Sequence, residues 1–433
     1  MRLTDYGAEV VLKYRVNGEL PSGGLRHDAG KWVAELVPPE AGTFDPAAVD
    51  REAGEVGWRL RRLEPLPGMS SLVSDAPHFV DATLEALGGT ALDPRLPQFP
   101  ARGAFRGLAL EDLDGDGDLD LAVTVPNRVF LNRGDGTFED GTERLGIAAE
   151  EGYYAVLIED FDRDGRRDLF FAGNLRRSLL YLAGDGGFER RVVGASTSHR
   201  IAASAAAHDV DGDGWLDVFL CGYGPFMDPG PDDPRNAVNG TANQVLRGGP
   251  GGLFEDVTAA WGLDQESTRW TFTGAFGDAD GDGDWDLYAA NDFGPNVLYR
   301  RLDGPGTCFR AEVEDAGSAR AGFSMSATWA DLDGDLDLDL YVSNMSSTAA
   351  QRVATMPGEA VGELDALRLS MSKGNTLLLA EDGRLVEAGD ERGAREADWA
   401  WGTALFDYDA DGDLDVHCLN GFLSSGSDDG RDL

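Results

Sequence analysis

Six stretches of this 433-residue chain gather aspartates at fixed spacing. The pattern D-x-D-x-D-G-x-x-D starts at Asp112, Asp160, Asp209, Asp278 and Asp407, and a near copy, D-L-D-G-D-L-D-L-D, starts at Asp331. Carboxylates at loop positions 1, 3 and 5 converge on one point when a glycine at position 6 lets the chain turn sharply. A main-chain carbonyl near position 7 and the carboxylate at position 9 bring the set towards the roughly six to eight oxygens that calcium takes. The chemistry in view is the capture of a hard divalent cation. Magnesium is disfavoured because it prefers to keep its waters.

The ligands expected are Asp112, Asp114, Asp116 and Asp120 in the first loop, and Asp160, Asp162, Asp164 and Asp168 in the second. Asp209, Asp211, Asp213 and Asp217 follow in the third, and Asp278, Asp280, Asp282 and Asp286 in the fourth. Asp331, Asp333, Asp335 and Asp339 make the fifth, and Asp407, Asp409, Asp411 and Asp415 the sixth. An EF-hand shares this beginning but needs Glu at position 12 and flanking helices. Position 12 here is Val123, Phe171, Leu220, Ala289, Val342 or Cys418, each within an apolar run. The loops therefore join strands. The bland alternative, a solvated acidic turn without metal, suits a lone copy better than six in register.

The copies are unequal, so of up to six calcium ions the weakest are expected at the Asp331 and Asp160 loops. Leu336 stands where glycine belongs, and a left-handed backbone costs a side-chain-bearing residue roughly 1–2 kcal/mol. Arg163, Arg166 and Arg167 add positive charge to the loop at Asp160.

The elements that position these loops repeat with them, at a period of roughly 50 residues broken by two insertions. A run of small and aromatic residues leads into the aspartates, as in Phe272-Thr-Gly-Ala-Phe. An apolar run follows them: LDLAVTV, RDLFFAG, LDVFLCG, WDLYAAN, LDLYVSN, LDVHCLN. A third run opens on a polar residue (Asn127, Asn296, Asn375), and a Gly-rich turn such as GDGTF leads to a fourth. Four strand-length runs with Asp-Gly turns describe an antiparallel meander. The fold expected is all-β: a β-propeller of six to seven four-stranded blades. A solenoid of the same hairpins is the alternative.

The last unit stops after VHCLNGF and a polar tail, while His78-Phe79-Val80-Asp81-Ala82-Thr83 reads as a fourth strand lacking its first three. A ring closed by N-terminal strands accounts for both. The domains expected are residues 1–75, an N-terminal β segment forming an extra blade or a small appendage; 76–423, the propeller; and 424–433, a polar tail.

A formal net charge of −41 leaves no basic face for nucleic acid, and six calcium ions would offset about 12 of those charges. A hydrophobic content of 42% argues for a folded chain. No apolar stretch is long enough for a transmembrane segment, and the start lacks the apolar run of a secretory signal. Cys221, Cys308 and Cys418 lie far apart and read as ordinary buried thiols, with neither a disulfide framework nor a zinc spacing. The histidines show no metal spacing; His208 and His417 adjoin the loops and are expected to pack or hydrogen-bond.

In a meander the connections from second to third strand lie opposite the aspartate loops. Both insertions, about 222–243 and about 345–374, fall there. Trp261, Arg269, Trp270, Trp399 and Trp401 come to the same side, and the second insertion carries Arg352, Arg368 and Lys373. Trp270, Trp399, Arg352 and Arg368 are the ligand-face candidates, for a protein or polysaccharide. Trp270 and Trp401 have the alternative of packing between blades.

The D-x-D-x-D-G-x-x-D loops resemble the FG-GAP/VCBS repeats of the integrin alpha-subunit propeller. ANDFGPNVLYR (290–300), GDGTFEDGT and WADLDGDLDLDLYVSNM (329–345) are similar to bacterial propellers related to cartilage acidic protein. The resemblance spans about residues 79–423 and lacks an ASPIC/UnbV-type tail. It implies a calcium-binding propeller acting in adhesion or binding, in a secreted, periplasmic or cell-surface location. Enzymatic action on polysaccharide, or a structural role in a larger assembly, are the alternatives. Neither G-x-S-x-G nor H-E-x-x-H is present, so an enzyme is the lesser expectation.

Overall fold

The computed structural model describes the backbone of residues 2–4, 7–19, 25–37, 59–65 and 70–74. It also describes residues 86–87 and 107–420, except 125, 195–201, 225–230, 234–235, 303–305, 314–320, 346–370, 372, 397–398 and 409–411. Two compact units divide it, Met1–Ala82 and Thr83–Leu433. None of the described helices is long and apolar enough to cross a membrane.

In the first unit, β1 (Arg2–Thr4), β2 (Gly7–Glu19), β3 (Leu25–Val37), β4 (Arg59–Pro65) and β5 (Ser70–Ser74) form one antiparallel sheet. Its order is β1-β2-β3-β4, with β5 pairing along the other half of the long β3. This sheet does not copy the repeat meander.

The second unit is a row of meanders. β6 (Leu108–Glu111), β7 (Asp120–Val123), β8 (Arg128–Asn132) and β9 (Phe138–Asp140) make the first sheet. β10 (Tyr153–Glu159), β11 (Asp168–Gly173), β12 (Ser178–Gly184) and β13 (Gly187–Val193) make the second. β14 (Ala202–His208), β15 (Asp217–Gly222), β16 (Gln244–Gly249) and β17 (Leu253–Asp256) make the third. β18 (Thr271–Gly277), β19 (Asp286–Asn291), β21 (Val297–Arg301) and β22 (Phe309–Glu312) make the fourth, and β20 (Gly294–Pro295) pairs with β23 (Ala321–Gly322) as a separate two-stranded sheet. β24 (Ser324–Ala330), β25 (Asp339–Asn344), β26 (Thr376–Glu381) and β27 (Arg384–Glu387) make the fifth. β28 (Ala400–Phe406) and β29 (Asp415–Asn420) make the two described strands of a sixth.

Packing explains why the second strands read as unbroken apolar runs. DLFFAG, DVFLCG, DLYAAN and DLYVSN are buried at every residue, because neighbouring sheets cover both faces. Alternation along the strand then decides which neighbour each side chain meets. Phe171 joins the cluster shared with the first sheet, and Phe170 joins the cluster shared with the third. The first strand of each sheet lies against the first strand of the next, from β6 through β10, β14, β18 and β24 to β28. In the second to sixth sheets that strand also carries a bulge near its start, as between Tyr153 and Ala155, which adds twist.

Candidate metal centres

Each aspartate loop connects the first strand of its sheet to the second, so the described loops stand at one end of their meanders. The position 1 carboxylate organises the turn. In the first loop Asp112 Oδ1 accepts from the N–H groups of Gly115 (2.7 Å) and Asp116 (3.1 Å), and Oδ2 from Gly117 (3.0 Å). The bond from position 6 recurs at Asp160, Asp209, Asp278, Asp331 and Asp407. It requires positive φ: Gly117, Gly165, Gly214, Gly283 and Gly412 lie between 86° and 99°, and Leu336 is forced to 77°. The fifth loop thus keeps its shape and carries the strain. At position 4, where Gly115, Gly212, Gly281 and Gly334 also have positive φ, Arg163 is strained in the same way at 59°.

The position 9 carboxylate does something the spacing did not foretell. Asp168 is fully buried; its Oδ2 accepts from Phe161 N–H (2.9 Å) in the loop and its Oδ1 from Ala183 N–H (2.8 Å) on the third strand. Asp120, Asp217, Asp286 and Asp339 make the same double bridge. Each ties loop, second strand and third strand together. Burial pushes the Asp168 and Asp286 carboxyls up to about 6 and Asp217 up to about 7, against the main-chain bonds that favour ionisation. Asp120 and Asp339 move the same way, again chiefly through burial.

Positions 1, 3 and 9 come together in four loops: Asp112, Asp114 and Asp120; Asp160, Asp162 and Asp168; Asp209, Asp211 and Asp217; Asp331, Asp333 and Asp339. In each triad one oxygen per residue lies within 4.8 Å of the others. In the fourth loop the triad is Asp278, Asp280 and Asp282. Asp116, Asp164, Asp213, Asp335 and Asp286 stand outside these triads. Asp409 and Asp411 lie outside the described residues, while Asp407 and Asp415 make the same loop bonds as their counterparts.

An all-oxygen donor set of this span fits calcium rather than a softer ion. Asp209 Oδ1 is buried with no hydrogen-bond partner, a bare acceptor in the middle of such a cage. A bound divalent ion would supply the positive charge that these crowded, desolvated carboxylates need.

The arginines of the second loop point out of it. Arg167 pairs with Glu111 (3.2 Å) and Glu159 (3.7 Å), Arg166 reaches Asp185 (2.6 Å), and Arg163 lies over the Trp215 ring. Only a 4.0 Å contact from Arg166 to Asp164 touches a ligand candidate. Arginines that the sequence reading passed over do reach the carboxylates: Arg247 and Arg300, from the third strands of the third and fourth sheets. Their signal was in the sequence, as a charge within an otherwise apolar run.

At the opposite end, Trp270 is only 2% exposed, packed among Tyr223, Phe272 and Phe293, with Nε1 donating to Asn239 (2.9 Å). Arg269 is buried too, on Glu266 and Asn236, and Trp261 lies in the core shared by the third and fourth sheets. Trp270 and Arg269 thus hold Asn239 and Asn236 of the first insertion, while Trp261 packs in the core. Trp399 and Trp401 are half-buried. Lys373 is exposed, and Arg352 and Arg368 lie outside the described residues. Asp292 is buried beside Tyr223, whose hydroxyl donates to it at 2.6 Å.

His208 packs at a tilt against Trp285, 3.9 Å between centroids, while His417 is exposed with Phe406 at 6.1 Å. Of the thiols, only Cys221 is buried; Cys308 is exposed and Cys418 half-buried, which corrects the expectation for those two.

Comparison with known proteins agrees with the loops. Residues 112–171, 160–220 and 278–342 match the FG-GAP-like repeat, so the chain carries repeats of that family. No curated protein matches the sequence. Among solved structures, the rhamnogalacturonan lyase YesW overlays with 13% identity and a TM-score of 0.32, over 73% of this chain and 68% of the lyase chain. An overlay that loose carries no argument about chemistry.

Proposed function

We propose that this chain, with its FG-GAP-like repeats, is a calcium-binding β-propeller that serves outside the cytoplasm as a binding or adhesion module for a protein or carbohydrate ligand. Calcium is structural in this reading. The observation that carries it is the recurrence of one carboxylate cage at the same end of five successive sheets. The resemblance to the integrin alpha-subunit propeller supports the binding role. Small open loops of this kind belong to the class that fills at about 0.1–1 mM calcium, concentrations found in extracytoplasmic fluids.

In this reading residues 76–423 make up the propeller and residues 1–75 an appended β segment. The ligand face is the rim opposite the cages, around Trp399, Trp401, Arg352 and Arg368, with Trp270 supporting it from below. At about 1 mM calcium and a site constant of about 0.1 mM, each ion stabilises the fold by roughly 1.4 kcal/mol. EDTA should therefore lower the melting temperature sharply, and elemental analysis should find several calcium ions per chain. A chelator-insensitive melt with no bound calcium overturns the metal reading. Glycan and protein arrays probed with the wild type and with Arg352→Ala/Arg368→Ala test the ligand face; binding that ignores the substitutions removes it.

A further inference from the structure

We infer that Arg247 and Arg300 are built-in cations of the third and fourth loops, which calcium must displace, so that these two loops bind it more weakly than the first, second and fifth. The inference rests on the calcium reading above. Register places Leu131, Leu182, Arg247, Arg300 and Leu379 at one equivalent position, the third-strand residue just before the N–H that bonds the position 9 carboxylate. Three sheets put a buried leucine there. The other two put a guanidinium on the cage itself.

Arg247 Nε lies 2.5 Å from Asp211 Oδ2, and its Nη2 lies 2.5 Å from Asp213 Oδ2. Arg300 Nη1 lies 2.5 Å from Asp280 Oδ2 and 3.5 Å from Asp286 Oδ2. A guanidinium held this way neutralises one carboxylate charge and occupies oxygens that a calcium ion would use. It does so incompletely: Asp209 Oδ1 stays buried and bare in the third loop. That loop can still gain from a divalent ion, but only by exchanging it for the arginine. Consensus spacing marks no flaw in these two loops; the third strand supplies one.

Calorimetric calcium titration of the full-length chain, with terbium luminescence as a second readout, tests this. Wild type should show weak sites that tighten about tenfold each in Arg247→Leu and Arg300→Leu, which install the residue used by the other sheets. Arg247→Met and Arg300→Met should act alike, and serve if leucine impairs folding. Arg144→Leu, which removes an equal charge paired with Glu139, should leave the isotherm unchanged. Calcium binding that is unaltered or weakened in both Leu and Met variants of a folded chain overturns the inference while sparing the calcium reading. A chain that binds no calcium at any loop overturns both.

Discussion

In the first five loops the ninth residue is a structural staple before it is a metal ligand. Asp168 satisfies two buried main-chain N–H groups on two different elements, and an orphaned buried donor costs roughly 1–3 kcal/mol. Asp168→Ala should therefore destabilise the calcium-free chain by about 2–4 kcal/mol. Asp162→Ala, at the solvent side of the same cage, should cost little in EDTA and show its effect only with calcium present. Denaturant unfolding in both conditions separates the two; equal losses in EDTA would refute the distinction. Leu336 offers the converse case. Its φ of 77° is held by the same loop bond that glycine makes elsewhere. Relief of left-handed strain, partly offset by the freer unfolded chain, should make Leu336→Gly more stable by on the order of 0.5–1 kcal/mol.

At the scale of elements, the connection after the second strand of the fourth sheet, Asn291-Asp292-Phe293-Gly294, holds a buried carboxyl that the cages do not use. Burial pushes Asp292 up to about 7, even though Tyr223 donates to it. With the folded value above the ordinary one, its contribution is fully present at low pH and is lost as pH rises through about 7. At saturating calcium, which holds the loop carboxylates ionised, wild type should lose melting temperature between about pH 5 and about pH 7, and little above that, relative to Asp292→Asn. Parallel pH profiles for the two proteins would refute this. The sequence announced less of this connection than of the loops. Aspartate spacing and the apolar second strands exposed the repeat, its four runs and the end where the cages sit, because those depend on local turn geometry and on burial of both faces. The partners of Trp270 and Arg269 were hidden, since an aromatic or a charge at a strand end reads alike whether it faces solvent or an insertion folds over it. Arg247 and Arg300 were missed because their effect depends on cross-strand register, which no single run contains.

For the whole molecule, the ends of the row decide between a ring and an open stack. Interior sheets bury both faces, yet Leu108 and Leu110 of β6 are 66% and 52% exposed, and Leu419 of β29 is 61% exposed. Leu108 and Leu110 alternate with Ala109, which packs towards the second sheet, so they point away from the row. In the last sheet Cys418 packs on the fifth, so Leu419 points outward as well. A ring brings these two apolar faces together and removes them from water; an open stack leaves both exposed and prone to join end to end. In a chain whose exposed Cys308 is replaced by serine, the pair Leu110→Cys and Leu419→Cys should be linked within one molecule by a short bismaleimide. The product should be a monomer by mass and should run faster on denaturing gels than the single variants treated in parallel. Linkage found only between molecules, rising with protein concentration, would show the row to be open and would turn the proposed propeller into a stacking solenoid.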